Sequence, residues 1–171
     1  KCLAILVCFL ICIETTAQVI LPRSIDGTGK TDVSDEMNSF FDSLPEGSRV
    51  VFPKGKTFRV EGILRIRNKK DLVIDGNGSS IIAETTGKDV PVAVGKPKHN
   101  WPRSREHLLV ENSTGISIVD LIVRGPHKTG GVSEKAYVKE LEAQHGISIY
   151  NSRNITVDSV KITHVFGDCI Y

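Results

Sequence analysis

The sequence has no large excess of positive or negative charge, few long apolar runs and few cysteines, and each of these features argues against a class of protein. Lysine and arginine number 22 against 20 aspartate and glutamate residues, a formal net charge of +2, with neither a basic tract nor an acidic tail. This balance gives no indication of binding to nucleic acid or to a charged membrane surface. Of the four cysteines, only Cys169 lies beyond residue 12.

The longest apolar run, residues 3–13, follows Lys1 and precedes the small residue Ala17. Its eleven residues are too few to cross a bilayer as a helix. They suit the apolar core of a signal peptide with a small residue at the cleavage point; a buried N-terminal strand is the alternative. We predict that residues 1–17 are a signal peptide cleaved after Ala17, and that the protein is secreted to the extracellular space.

Cleavage there leaves Cys169 as the one thiol of the mature chain. An unpaired cysteine in a secreted chain indicates either a buried thiol or a partner cysteine that the sequence does not contain. Because Cys169 precedes Ile170 in an expected strand, we predict a buried thiol.

The mature part, residues 18–171, consists of short alternations of apolar and polar residues between turns rich in asparagine, serine and aspartate. The residue pattern of segment 112–123 recurs in segment 151–162, and segment 68–76 matches the first half of that pattern. A strand this short buries only two side chains on one face and must stack on copies of itself. Self-similarity at a fixed offset predicts a solenoid.

The expected repeat is one turn of a parallel β-helix. Gly146 and Gly167, 21 residues apart, open successive turns, and three strands with three corners need about 20 to 25 residues. The sequence therefore predicts an all-β solenoid whose inward isoleucine, valine and leucine side chains form columns. We expect Asn68, Asn112 and Asn151 to stack as a ladder inside the turns, hydrogen-bonded to the backbone. The alternative for Asn112 is N-glycosylation.

Residues 34–44 carry apolar residues at the spacing of one helical face, and Pro45 and Gly47 end the pattern. Asp35 and Glu36 suit the first turn of a helix. We predict an α-helix that covers the exposed apolar end of the first coil, as the terminal repeats of solenoids require.

With these repeats, the sequence resembles the right-handed parallel β-helix superfamily of pectate lyases, pectin lyases and polygalacturonases. The turn from Asp26 to Asp32, the helix after it and the segment from Gly47 to Phe58 are similar to the N-terminal module of that superfamily. The resemblance covers residues 24–171 and implies one β-helix domain in residues 18–171. It also implies a secreted monomer that binds polysaccharide, including an acidic polyuronate. Because the sequence stops partway through a turn, we expect an N-terminal fragment with further coils to follow.

Two segments interrupt the alternation, residues 85–106 and residues 126–144, and the second is predicted to hold a short helix from Ser133 to Leu141. Long loops on a rigid scaffold are where binding residues concentrate. Trp101, the one tryptophan, lies in the first segment and is a candidate for stacking on a sugar ring; covering a core edge is its alternative role.

Hydrolysis of a glycosidic bond needs a proton donor for the leaving oxygen and a carboxylate that activates water or attacks carbon. The segment from Phe166 to Ile170 is similar to the Gly-Asp-Asp-Cys-Ile segment of polygalacturonases, with one aspartate absent. The resemblance makes Asp168 the candidate catalytic acid. His164 and His145 are expected near the junctions between coils, where a histidine can transfer protons around neutral pH, so His164 is the second catalytic candidate; an ordinary turn or surface histidine is the alternative for each. The structural alternative for Asp168 is a corner residue that hydrogen-bonds to nearby backbone. The enzyme hypothesis predicts a second carboxylate about 5 to 10 Å from Asp168.

Lyases of the same superfamily abstract a proton next to a uronate carboxylate with an Arg or Lys base, usually with calcium held by several carboxylates. Arg124, at the end of an expected strand, is the candidate for that base or for binding substrate, and His145 and Trp101 are further candidates for substrate binding. No aspartate cluster suited to calcium is visible, so we predict no metal site and no cofactor, with calcium needed only by a lyase.

The sequence leaves three functions open. A glycoside hydrolase is preferred, because the segment around Asp168 is the closest motif to a known active site. A polysaccharide lyase of the same fold and a non-catalytic glycan-binding scaffold are the alternatives. The fold alone does not decide among them, since function belongs to sites carried by folds.

Overall fold

The computed structural model describes residues 18–87 and 105–171. The predicted signal peptide, residues 1–17, and Trp101 lie outside the described residues. The described part of the chain forms one α-helix, two short 3-10 helices and eleven strands. In chain order, the strands and the α-helix are β1 (Gln18–Ile20), β2 (Thr28–Asp32), α1 (Ser34–Ser43), β3 (Arg49–Val51), β4 (Thr57–Arg59), β5 (Leu64–Arg67), β6 (Val73–Ile82), β7 (Leu108–Glu111), β8 (Thr114–Arg124), β9 (Ile147–Tyr150), β10 (Arg153–Asp158) and β11 (Lys161–Thr163).

All pairs of these strands are parallel, and they form two sheets. The eight-stranded sheet has the order β1-β3-β6-β4-β2 and extends from β6 to β8 and from β8 to β10 and β11. The three-stranded sheet has the order β5-β7-β9. β6 and β8 each bend at a residue with positive φ, Asn77 (+49°) and Asp120 (+48°), and pair with different strands on the two sides of the bend. The fold is therefore mostly β, with parallel strands and one α-helix.

Apolar side chains form columns across both sheets, as the alternation predicts. Val50, Ile74 and Ile118 are successive register partners in the large sheet and are at most 1% exposed. Full burial of one aliphatic side chain contributes about 1.5–3 kcal/mol, so the columns are the main force that holds the strands in register. Two further columns are Phe58, Ile81, Val123 and Ile162, and Leu64, Leu108 and Ile147.

The alignment of the two best repeats is confirmed, because Ile155 pairs with Ile116 in the parallel ladder of β10 and β8. Residues equivalent in these repeats lie 39 residues apart. Where no long loop intervenes, the spacing falls to 23 residues. The predicted spacing of 21 residues is two residues too short, since Ile147 pairs with Ile170.

Helix α1 packs its apolar face on the core, with Met37 and Phe41 at most 1% exposed. Its Asn38 side chain bonds to the backbone at the free edge of the small sheet. Asn38 Nδ2 donates to the carbonyl of Ile63 at 2.9 Å, and Oδ1 accepts from the amide of Arg65 at 2.8 Å. An uncovered edge would present unpaired backbone groups to other chains. The helix predicted over residues 34–44 is present and ends one residue earlier.

Two local predictions are wrong. Residues 133–141 form two 3-10 helices, Glu134–Ala136 and Lys139–Leu141, instead of one helix. Cys169 is exposed instead of buried. In the described part of the chain, the neighbouring Ile170 pairs with Ile147 on one side only, and half of its surface stays in solvent.

The asparagine ladder exists, but it lies on the outside of the turns. Asn68, Asn112 and Asn151 adopt φ of +55°, +50° and +43°, a conformation that asparagine tolerates better than most residues, and all three are exposed. Inside the same turns the backbone is bonded by serine: the Ser113 amide donates to Ser152 Oγ at 3.1 Å. The expectation of inward asparagines is therefore wrong.

Candidate functional site

Three chain segments meet at the end of β8 in what we call the corner site: residues 124–128, 144–146 and 163–168. Gly125 N donates to the carbonyl of Thr163 at 2.9 Å, and Gly167 N donates to the carbonyl of Gln144 at 3.0 Å. These backbone contacts between the three segments bring four of the predicted site residues, Arg124, His145, His164 and Asp168, into the same corner.

Glycine is required where the corner segments cross. A Cβ on Gly125 would collide with the carbonyl oxygen of His164, and a Cβ on Gly167 would collide with the carbonyl oxygen of Glu142 and lie 2.6 Å from His145 Nδ1. Backbone atoms cannot move aside as a flexible side chain can. The close approach of the turns therefore depends on these two residues having no side chain.

Asp168 lies against His145. Its backbone amide donates a hydrogen bond to His145 Nδ1 at 3.0 Å, so that nitrogen carries no proton and the neutral ring holds its proton on Nε2. The Asp168 Oδ2 atom is 3.6 Å from the same Nδ1. With a neutral His145 ring, the Asp168 carboxylate and the ring do not form an ion pair at this distance. The Asp168 side chain is 67% exposed, so its carboxylate is open to solvent.

The His145 ring is held in place on its other face by Tyr171. The two rings stack with centroids 4.4 Å apart and planes 8° from parallel, and His145 is only 8% exposed. Aromatic stacking of this kind contributes about 0.5–1.5 kcal/mol. His145 is therefore a fixed, mostly buried support for the backbone of Asp168, and its position as a substrate-binding residue stays a prediction.

His164 is exposed, follows β11 directly and has φ of +58°. Its carbonyl accepts a hydrogen bond from the amide of His127 at 2.9 Å. His127 is 7% exposed, stacks on Phe166 at 4.2 Å and donates from Nε2 to the carbonyl of Ala136 at 2.7 Å. His127 thus connects the loop after β8 to the corner site through its contacts with Ala136, His164 and Phe166. Sequence reasoning missed it, although it follows directly on a Gly-Pro pair after β8.

Arg124 is exposed on the outer face of the large sheet, in register with Thr163 and Ile82. It borders a cleft of about 280 Å³ that Glu84 and Lys128 also line. That volume is near the lower end for small-molecule sites, which run from about 300 to 1,000 Å³. Two cations and one carboxylate at its rim suit an anionic group with hydroxyls beside it.

A buried histidine lies beneath the corner. His107 is 1% exposed, and its Nε2 lies 2.9 Å from where a Cβ of Gly125 would stand. Burial and, to a smaller extent, the nearby charge of Arg105 together lower the pKa of His107 to about 3. Within the described residues, Nε2 has no hydrogen-bond partner. His107 is therefore neutral at ordinary pH.

Arg105 is fully buried and links three segments behind the corner. Its guanidinium donates to the carbonyls of Glu61 and Thr85 at 3.1 and 2.8 Å, and to Gln144 Oε1 at 3.4 Å. Burial lowers the pKa of Arg105 to about 10, while the Glu61 carboxylate acts in the opposite direction. Sequence reasoning missed Arg105 and His107, because both flank the start of β7 at the end of a segment without periodicity.

The structure thus brings Asp168 together with His145, and places Arg124 next to the strand that leads to His164. The residue that faces Asp168 from the preceding turn is His145. Among residues 18–87 and 105–171, no group of three or more histidine, cysteine, aspartate or glutamate side chains is arranged to hold a metal ion. No helix in that part of the chain is long and apolar enough to cross a membrane.

Comparison of the chain with protein-family models, with curated protein sequences and with solved structures gave no match.

Proposed function

We propose that the protein is a secreted, right-handed parallel β-helix of the pectate lyase-like type, and that it hydrolyses an acidic polysaccharide at the corner site. The observation that carries the proposal is the exposed carboxylate of Asp168. The backbone amide of Asp168 is hydrogen-bonded to His145, and both residues lie in the same corner as Arg124. The all-parallel pairing of strands, at offsets that repeat along the chain, supports the β-helix.

The corner residues have distinct roles in this proposal. Arg124 and Lys128 bind the carboxylate of a sugar unit beside the cleft, since exposed cations pair with anionic groups there. Asp168 exchanges a proton with the glycosidic oxygen or with the attacking water. His164, exposed at the same corner, is a second proton-transfer group. His145 acts on Asp168 by positioning its backbone.

A non-catalytic glycan-binding protein is the second candidate. It is favoured by the fact that His145 stands opposite Asp168, where a hydrolase would have its second carboxylate. A lyase is the third candidate, with Arg124 at the exposed end of β8 as the base.

The products formed from polygalacturonan distinguish the three candidates. Hydrolysis consumes one water for each bond and yields new reducing ends without an unsaturated sugar. A lyase yields an unsaturated uronate at the new non-reducing end, and chelation of calcium would stop a calcium-dependent one. We expect reducing ends alone. Retention of the polymer without any cleavage would contradict hydrolysis and support the glycan-binding protein.

A further inference from the structure

A second cleft lies on the asparagine corner, between the small sheet and the first half of β8 and β10. This ladder cleft has a volume of about 700 Å³ and is lined by Asn68, Asn112, Asn151, Lys69, Lys70 and Arg153, with serine, threonine and one more asparagine between them. It is separate from the corner site, with which it shares no lining residue.

The backbone fixes the amides of the ladder cleft. Asn68, Asn112 and Asn151 all have positive φ, and each follows an equivalent strand of the small sheet. Neighbouring strands are about 4.8 Å apart, so the asparagines form a regular row. Asn151 Nδ2 donates to Asn112 Oδ1 at 2.7 Å, which orients both amides. The Asn68 side chain makes no hydrogen bond within the described chain, so its donor and acceptor are open to a solute.

The pairing of the strands also sets the distance between two cations of the ladder cleft, Lys70 and Arg153. Lys70 pairs with Thr114, and Thr114 pairs with Arg153, so Lys70 and Arg153 stand two strand spacings apart, about 9.6 Å between Cα atoms. Lys69 Nζ is held by the carbonyls of Asp42 and Leu44 at 2.8 and 2.9 Å, where it covers the C-terminus of α1.

The charge of the cleft is of one sign. Its lining residues include three cations and no carboxylate. In the described part of the chain, Lys70 forms an ion pair with Asp71, whose Oδ2 lies 3.9 Å from Lys70 Nζ with both side chains mostly exposed. An exposed pair at that distance is weak, about 0 to 1 kcal/mol, and leaves Lys70 available for an anionic ligand.

We propose that the ladder cleft is a non-catalytic binding site for acidic polysaccharide, whose carboxylate or sulfate groups pair with Lys70 and Arg153 and whose hydroxyls bond to the asparagine row. Side-chain amides both donate to and accept from hydroxyl groups, which a sugar chain presents along its length. The cleft has no aromatic lining residue on which nucleic-acid bases would stack, so a single-stranded nucleic acid fits it less well. The proposal does not require the corner site to be catalytic.

The test is the affinity of the whole chain for oligogalacturonate, for heparin and for a neutral oligosaccharide, measured by calorimetry. The variant carries Lys70→Gln and Arg153→Gln together, and its charge-matched control carries Lys54→Gln and Lys56→Gln, two exposed lysines outside the cleft. We expect the cleft variant to lose about tenfold in affinity for an acidic oligosaccharide, as the loss of two exposed charge contacts implies. The control should bind as the wild type does.

Tighter binding of oligogalacturonate than of heparin would identify a uronate ligand, and the reverse order would identify a sulfated one. Equal losses in both variants, or no binding of either acidic probe, would overturn the proposal. Tighter binding of single-stranded DNA than of both acidic glycans would also overturn it. An Arg124→Gln variant reports on the corner site: if it alone abolishes binding, the ladder cleft is not a binding site, whereas loss of cleavage with binding retained separates the two sites.

Discussion

The backbone amide of Asp168 donates a hydrogen bond to Nδ1 of His145, which lies 3.0 Å away and 23 residues earlier in the chain. An amide can only donate, so this contact determines which ring nitrogen of His145 carries the proton. We therefore predict the Nε2–H tautomer at neutral pH. Nitrogen NMR of labelled protein would show it through the shift of an unprotonated Nδ1, and a protonated Nδ1 at neutral pH would contradict the contact.

Acid should destabilise the protein through His107. Its folded-state pKa of about 3 lies below the ordinary value of about 6.5, so the unfolded chain binds more protons between these values. Stability is then complete above pH 6.5 and falls as the pH drops towards 3. Lowering the pH from 7.5 to 5 should cost about 2 kcal/mol from this group alone.

Urea unfolding at the two pH values checks this prediction with two variants. His107→Gln removes the titrating group and should lose about 2 kcal/mol less on acidification than the wild type does. His164→Gln, which changes an exposed histidine, should keep the wild-type difference. An identical pH dependence in the wild type and in His107→Gln would show that His107 does not titrate as burial requires.

Replacing Arg105 should destabilise the fold more than replacing an exposed arginine. Arg105→Met leaves the Glu61 carboxylate without its buried partner, 3.6 Å away, and the carbonyls of Glu61 and Thr85 without a donor. We expect a loss of about 3 kcal/mol in the free energy of unfolding. Arg49→Met, which breaks an exposed ion pair with Asp75, should cost about 0 to 1 kcal/mol. Equal costs would contradict the linking role of Arg105.

The positive φ of the ladder asparagines predicts an unusual order of stability among their alanine and glycine variants. Asn112 has φ of +50°, a conformation that costs a residue with a Cβ about 1 to 2 kcal/mol. Asn112→Ala should therefore be less stable than Asn112→Gly, the reverse of the order in an ordinary strand. Thermal unfolding of the two variants measures the difference. Greater stability of the alanine variant would show that Asn112 is not in the left-handed region.

Much of the fold could be predicted from sequence because each strand repeats the pattern of the strand that it pairs with. Ile116 and Ile155 occupy matched positions in two similar segments, and the match fixes their register. Cys169 was predicted wrongly, because alternation shows which face a side chain occupies but not whether another layer covers that face. The ladder asparagines were placed inside for a similar reason: spacing does not report the sign of φ.

The corner site was only partly predictable. Asp168 was found from a motif, but its contact with His145 depends on the 23-residue offset between turns, which the glycine spacing underestimated. Arg105 lies within the segment that lacks periodicity and His107 follows it, so no local pattern indicates their burial. Their role follows from long-range contacts, which the loops between the strands determine.

The most direct test of hydrolysis at the corner is a comparison of two aspartate variants. Asp168→Asn removes the exposed carboxylate next to His145, whereas Asp158→Asn makes the same change on an exposed aspartate at the end of β10. Reducing-end release from polygalacturonan should fall by about 10² to 10⁴ in Asp168→Asn, the range expected for loss of a general acid or base, and stay at the wild-type rate in Asp158→Asn. Equal rates in the wild type and in Asp168→Asn would remove Asp168 from the mechanism and contradict the account.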